Sequence, residues 1–228
     1  MSLMNEVRQA IAESHNAIEQ TAFSIAMMDG TLSAKNYACG LIQLLNIHQA
    51  LEASIAGCDS LLPYFTDEMI RTPAIVRDLS ALGYNATSFP LMPDTKAIVQ
   101  AIKAWSETTP VSLLGCLYIL EGSRMGSLVI AKPLAKTLGI APGQIAGIEY
   151  HVEGASKTPM RVRQLKEQID STVVDATKQQ SLQEGAVRFM AMLNQLYMVL
   201  PAKNNETGAP IGKCPFSHTT MQTQLRSA

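Results

Sequence analysis

Apolar residues recur three and four positions apart through most of the first 200 positions, and no stretch alternates apolar with polar as a half-buried strand does. Segments that each carry one apolar stripe must bury those stripes against one another, so the expectation is an all-α, single-domain helical bundle. From Asn5 to Met28, the residues Val7, Ile11, Ile18, Phe23 and Ile25 predict one helix, which Asp29 and Gly30 stop. Ser33 caps a second, from about Ala34 to Ala56, carrying Tyr37, Leu41, Leu44, Leu45, Ala50 and Leu51 and ending at Gly57. Residues 58–94 are broken by four prolines and hold one short helix near Ile75 to Leu82. Asp94 is expected to cap a helix that runs to about Thr108. Pro110 opens a long one that Pro133 kinks and Gly139 ends, and two more cover roughly Pro159 to Asp170 and Val173 to Leu200.

Residues 1–200 therefore read as one helical domain, and residues 201–228 as a polar, mobile tail without apolar period. Eighteen Lys and Arg against nineteen Asp and Glu give no electrostatic case for a nucleic-acid or anionic-membrane partner. No leader-like apolar segment opens the chain, and no apolar run approaches the roughly 20 residues that span a bilayer. A cytoplasmic protein is expected. Cys39, Cys58, Cys116 and Cys214 lack disulfide-framework or zinc-ligand spacing and read as reduced thiols.

One stretch of the long helix is costly. LYILEGSRMGS, residues 117–127, puts Gly122 and Gly126 four apart, and each glycine loses roughly 1 kcal/mol against alanine in a helix interior. Two uses offset such a cost. Small residues let a buried helix approach a neighbouring helix closely, or they expose backbone to a flat ligand that side chains would hold away.

The same letters closely resemble the distal-helix signature of bacterial heme oxygenases, in which an LYxxEGSxLG run lays glycine backbone over the heme. Other segments agree, in the right order. His15 and Glu19 form an HxxxE pair on one helical face, matching the family's proximal histidine, which ligates heme iron, and a glutamate that orients it. Without the resemblance, the pair reads equally as a surface helix pair. Arg8 matches a basic residue that pairs with a heme propionate, as a guanidinium does well. Tyr118 falls near a tyrosine bordering the heme edge. LSAKNY (residues 32–37) and HQALE (residues 48–52) are similar to structural patterns of the family, and YHVEGASKTPMR (residues 150–161) more loosely to its aromatic-x-x-x-G loop. There Arg161 reads as a solvated charge at a helix start. Arg188 and Lys178 on the last helix are further candidates for cofactor binding.

The resemblance implies a heme oxygenase-like bundle with heme between the first helix and a kinked distal helix. It implies cleavage of heme, with O2 and electrons from a ferredoxin or an NAD(P)H-dependent reductase, to biliverdin, carbon monoxide and ferrous iron. Heme is then both cofactor and substrate. Larger relatives place an aspartate beside the distal glycines, where this chain has Ser123, Arg124 and Ser127. The catalytic surface is thus expected at Gly122, Ser123, Gly126 and Ser127, with Arg124 pointing outward. In the tail, Cys214-Pro215 resembles a heme regulatory motif. Three alternatives stay open: a non-catalytic heme-binding or trafficking protein on the same fold, a nonheme iron oxidase using His15, Glu19, His48 and Glu52, and a thiaminase-like enzyme with Cys116 as nucleophile.

Overall fold

The computed structural model describes residues 2–202, so Cys214-Pro215 and the rest of the expected tail lie outside the described residues. Among the described residues there are ten α-helices: α1 (Leu3–Glu19), α2 (Ala22–Met28), α3 (Ala34–Ala56), α4 (Thr72–Ala81), α5 (Pro93–Thr108), α6 (Ser112–Ser123), α7 (Ser127–Thr137), α8 (Glu149–Val152), α9 (Thr158–Thr172) and α10 (Ala176–Val199). No strand occurs among the described residues. Three boundaries differ from the periodicity. The first helix is two, because the Thr21 side chain accepts the Ser24 N–H and starts α2 afresh after Glu19. The long helix is interrupted at Arg124–Gly126 by one 3-10 turn, whereas Pro133 lies inside α7. Met92, not Asp94, occupies the N-cap of α5, and Asp94 sits in its first turn. The Ser33 cap and Gly57 stop of α3 stand as expected.

The centre of the bundle is α10, which packs along both α1 and α6, while α3, α4 and α5 form an adjoining layer. Leu182, Phe189, Leu193 and Leu196 of α10 meet a continuous core that includes Leu113, Leu114 and Leu117 of α6 and Met4, Val7 and Ile11 of α1. At the α6/α10 crossing the backbones nearly touch. A Cβ on Gly115 would lie 2.8 Å from the Leu182 carbonyl oxygen, and one on Gly185 would lie 2.9 Å from the Ser112 carbonyl oxygen. These two glycines permit the close approach.

The run Ser112–Thr137, which joins α6, the 3-10 turn and α7, is long and apolar enough to cross a membrane by length and composition. This corrects the expectation that no such run exists. Most of that run is buried inside the bundle, because α6 supplies one side of the core against α10.

Candidate active site

The two walls of the expected cleft, α1 and α6, are built on the same support. Both α1 and α6 pack against α10 and α9, and at the far end α2 packs against α7. That end is sealed by the Thr137 hydroxyl, which donates to the Gly30 carbonyl.

On the first wall, the buried residues of α1 are Leu3, Met4, Val7 and Ile11, so Arg8 and His15 fall outside the core-facing stripe and are exposed. His15 Nδ1 lies 3.6 Å from Glu19 Oε1. The carboxylate thus faces Nδ1, too far for a hydrogen bond, and Nε2 is the ring nitrogen on the side away from it. Arg8 acts electrostatically on Tyr118 of α6: burial pushes the Tyr118 hydroxyl up, and the Arg8 guanidinium pulls it back down. Those two expected residues are therefore brought together from opposite walls. Arg188 is placed differently. Its guanidinium lies 5.6 Å from the ring centroid of Trp105 on α5, a cation–π contact beside the exposed row Gln180, Glu184 and Val187.

On the second wall, Gly122 and Gly126 flank the 3-10 turn, and a Cβ built on either would meet nothing within 4 Å. The contrast with Gly115 and Gly185 separates the two uses of glycine named above. Gly115 and Gly185 serve helix packing; Gly122 and Gly126 leave bare backbone facing open space. Met125, Leu128 and Val129 next to them are exposed, as are Ile25 and Met28 on α2. The cleft therefore offers apolar side chains beside the glycines. Ser123 Oγ donates to the Leu120 carbonyl at 2.7 Å, so its hydroxyl proton is committed and its lone pairs are free. Ser127 is buried.

Behind the turn the structure corrects two expectations. Arg124 does not point outward and Arg161 is not solvated: both are buried, and both pair with buried Glu121. Arg124 Nη1 donates to the Glu121 carboxylate at 3.1 and 3.2 Å, and Arg161 Nε donates to Glu121 Oε1 at 2.7 Å. Charged residues read as exposed by default, and here burial follows from partners near in sequence (Glu121 for Arg124) and distant (Glu121 for Arg161) alike. Other polar groups were equally hidden. Asp78 accepts the Glu149 and Tyr150 N–H groups and so starts α8; Arg71 donates to the Glu149 and Tyr150 carbonyls. Lys166 on α9 donates to Asn5 Oδ1 on α1 at 3.3 Å, which brings an amine to the first wall.

The alternatives lose their residues. His48 and Glu52 are spent on structure, His48 Nε2 contacting the Tyr150 hydroxyl and Glu52 accepting the Arg71 and Thr72 N–H groups. Among the described residues no three His, Cys, Asp or Glu side chains converge as metal ligands. Cys116 is fully buried, and burial pushes its thiol far up, which suits packing rather than nucleophilic attack.

Comparison with known proteins agrees with the geometry. Among solved structures, the heme oxygenase of Leptospira interrogans superposes with a TM-score of 0.77 at 23% identity, covering 87% of this chain and 99% of its own. Heme oxygenase-1 of the cyanobacterium Synechocystis, in complex with heme, gives 0.73 at 18% identity, covering 86% of this chain and 91% of its own. Heme oxygenase-2 of Synechocystis, in complex with heme and NO, gives 0.75 at 19% identity, covering 86% and 84%. At these identities the likeness establishes the fold. No curated protein matches the chain significantly by sequence. The family model for heme oxygenase matches residues 1–198, nearly the whole described chain, and the protein belongs to the heme oxygenase family.

Proposed function

We propose that the protein cleaves heme, with O2 and externally supplied electrons, to biliverdin, carbon monoxide and ferrous iron. The observation that carries this reading is the bare backbone at Gly122 and Gly126, where an added Cβ meets nothing within 4 Å, opposite in use to the packing glycines of α6 and α10. A flat macrocycle fits such a face, and a neutral imidazole whose other nitrogen faces a carboxylate is a suitable iron ligand. The residues present therefore suit heme. When bound, heme supplies both the iron at which O2 is reduced and the carbon skeleton that is opened.

The chain's share is binding, orientation and control of protons. His15 would hold the iron from α1 through Nε2, with Glu19 facing Nδ1 of the same ring. Arg8 and Lys166 are the cations that α1 and α9 place by the first wall, and we assign them to the propionates. Tyr118 borders the same edge from α6. Arg188, laid on Trp105, is left out of this set. The absence of side chains at Gly122 and Gly126 would leave room for small ligands beside a bound heme. Ser123 Oγ, its proton donated to the Leu120 carbonyl, is left with acceptor capacity on the side of the turn. Electrons come from a ferredoxin or an NAD(P)H-dependent reductase in a cytoplasmic setting. The free thiols Cys58 and Cys116 are in keeping with that compartment.

Hemin titrated into the full chain is expected to give a saturable Soret complex, and ascorbate or a reductase in air to convert it into biliverdin. His15→Ala should lose the proximal-imidazole spectrum. A ferric spectrum unchanged by that substitution would sink the assignment, whereas a normal complex without biliverdin would mark a heme-binding protein.

A further inference from the structure

The Glu121–Arg124–Arg161 cluster has no part in the chemistry above, yet it is the most heavily invested polar feature of the interior. Glu121, Arg124 and Arg161 expose 2%, 2% and 7% of their surface. Burying three charges costs several kcal/mol per ion before their attraction is counted, and such clusters often add little net stability compared with apolar residues of like size. Their geometry points to another use. Glu121 lines the interior together with Leu117 and Leu120, and at about 100° per residue along a helix Gly122 points about a quarter-turn away from it on α6. Arg124 is itself the first residue of the 3-10 turn. From behind that turn its guanidinium reaches three elements, donating to the Glu121 carboxylate, to the Glu68 carbonyl at 3.4 Å and to the Glu153 carbonyl at 2.6 Å.

Arg161 holds the other end. It donates to Glu121 Oε1, to the Gly154 carbonyl at 3.3 Å and to the Thr158 hydroxyl at 3.0 Å. Gly154 closes the arrangement. Its φ is +66°, and a Cβ there would meet the Arg161 and Arg124 guanidinium nitrogens at 3.6 and 3.7 Å. Two arginines thus converge on the residue 153–154 loop and on one carboxylate. In front, the turn is bare; behind, it is tied at several points.

We propose that the Glu121–Arg124–Arg161 cluster is a positioning device that fixes the Arg124–Gly126 turn from behind and so sets the height of the Gly122 and Gly126 backbone over the cleft. This rests on the heme reading for its consequence in catalysis, but not for its effect on the turn. The diagnostic variant is Arg124→Lys, whose single ammonium keeps the charge but cannot serve Glu121, Glu68 and Glu153 together. Glu121→Gln is the second variant. Gln43→Ala is a control, since Gln43 accepts from the Met92 N–H and the Thr95 hydroxyl in the α3/α5 layer and does not touch the turn.

Amide hydrogen exchange on the heme-free full chain is the primary measurement. Either cluster variant should speed exchange at residues 122–127 by at least about 10-fold relative to the helices α3 and α5, while Gln43→Ala should not. With hemin, Arg124→Lys should lower kcat about 10-fold or more with the heme Kd nearly unchanged, because the His15 wall is untouched. Unchanged exchange at the turn, or an equal rise across the whole chain, overturns the proposal, the second result marking a global stability element. A wild-type chain that gives no His15-dependent complex defeats the heme reading and leaves the exchange result to decide the role of the cluster.

Discussion

Four glycines, on α6, on α10 and in the turn that follows α6, do two unlike things, and the difference is decided by what stands one bond away. Gly115 and Gly185 face backbone at 2.8 to 2.9 Å, so any side chain must push α6 and α10 apart. Gly122 and Gly126 face open space. Gly115→Ala is therefore expected to cost about 1–3 kcal/mol through overpacking, read as a lowered urea midpoint. Gly126→Leu should leave the helical content and midpoint nearly unchanged and lower heme turnover on the order of 100-fold. The reverse pattern would show that the Gly122/Gly126 pair is a packing device after all. Sequence spacing alone cannot make this distinction, because both pairs read as small residues inside an apolar helix. The same limit hid Arg124 and Arg161: each is a charged residue whose burial depends on Glu121, and for Arg161 that partner lies 40 residues away. By contrast, His15 and Glu19 were legible, since a pair four apart on a helix needs only local geometry to share a face.

At the scale of elements, the helices whose ends carry their own signals were legible and those defined by contacts were not. Ser33 and Gly57 bound α3 where capping chemistry puts them. The short α8 carries no periodicity and exists because Asp78, on α4, accepts its first two free N–H groups. The break between α1 and α2 is a local signal in principle, a threonine with a serine three residues on, but continuous apolar spacing on both sides conceals it. Thr21 is buried, its Oγ1 accepting from Ser24 N while donating within the same turn. Thr21→Ala should cost about 1 kcal/mol, the ordinary worth of an N-cap, with Thr21→Ser recovering most of it. Because α2 packs on α7 and seals one end of the cleft, the alanine variant should also release bound heme faster. A loss of stability without a change in heme off-rate would confine the role of the cap to the helix itself.

The molecule as a whole carries two buried groups that pull its acid response in opposite directions. His151 is buried against Tyr37 and Tyr150, and among the described residues neither of its ring nitrogens has a hydrogen-bond partner. Burial, then the nearby Arg71 and Arg124 charges, lower it from 6.5 to about 4. Below pH 6.5 the unfolded chain binds a proton that the folded chain refuses, so this group removes stability as the pH falls. Asp78 behaves oppositely. Burial raises it from 3.8 to about 6 despite its backbone hydrogen bonds, so between those values the folded chain binds more protons and gains stability on acidification. Between pH 7.5 and pH 5 the linkage relation gives a loss of ~2 kcal/mol from His151 and a gain of ~1 kcal/mol from Asp78. His48, lowered by burial, adds to the side of the loss. Wild type should therefore lose little stability over this range from the opposed pair. His151→Phe keeps the stacking on Tyr37 and removes only the proton acceptor, so its stability relative to wild type should improve by ~2 kcal/mol between pH 7.5 and pH 5. Asp78→Asn should shift the other way, losing ~1 kcal/mol relative to wild type over the same interval. Urea unfolding of the three proteins at both pH values measures the two differences directly, and parallel pH dependences for all three would mean that neither side chain titrates as its burial requires.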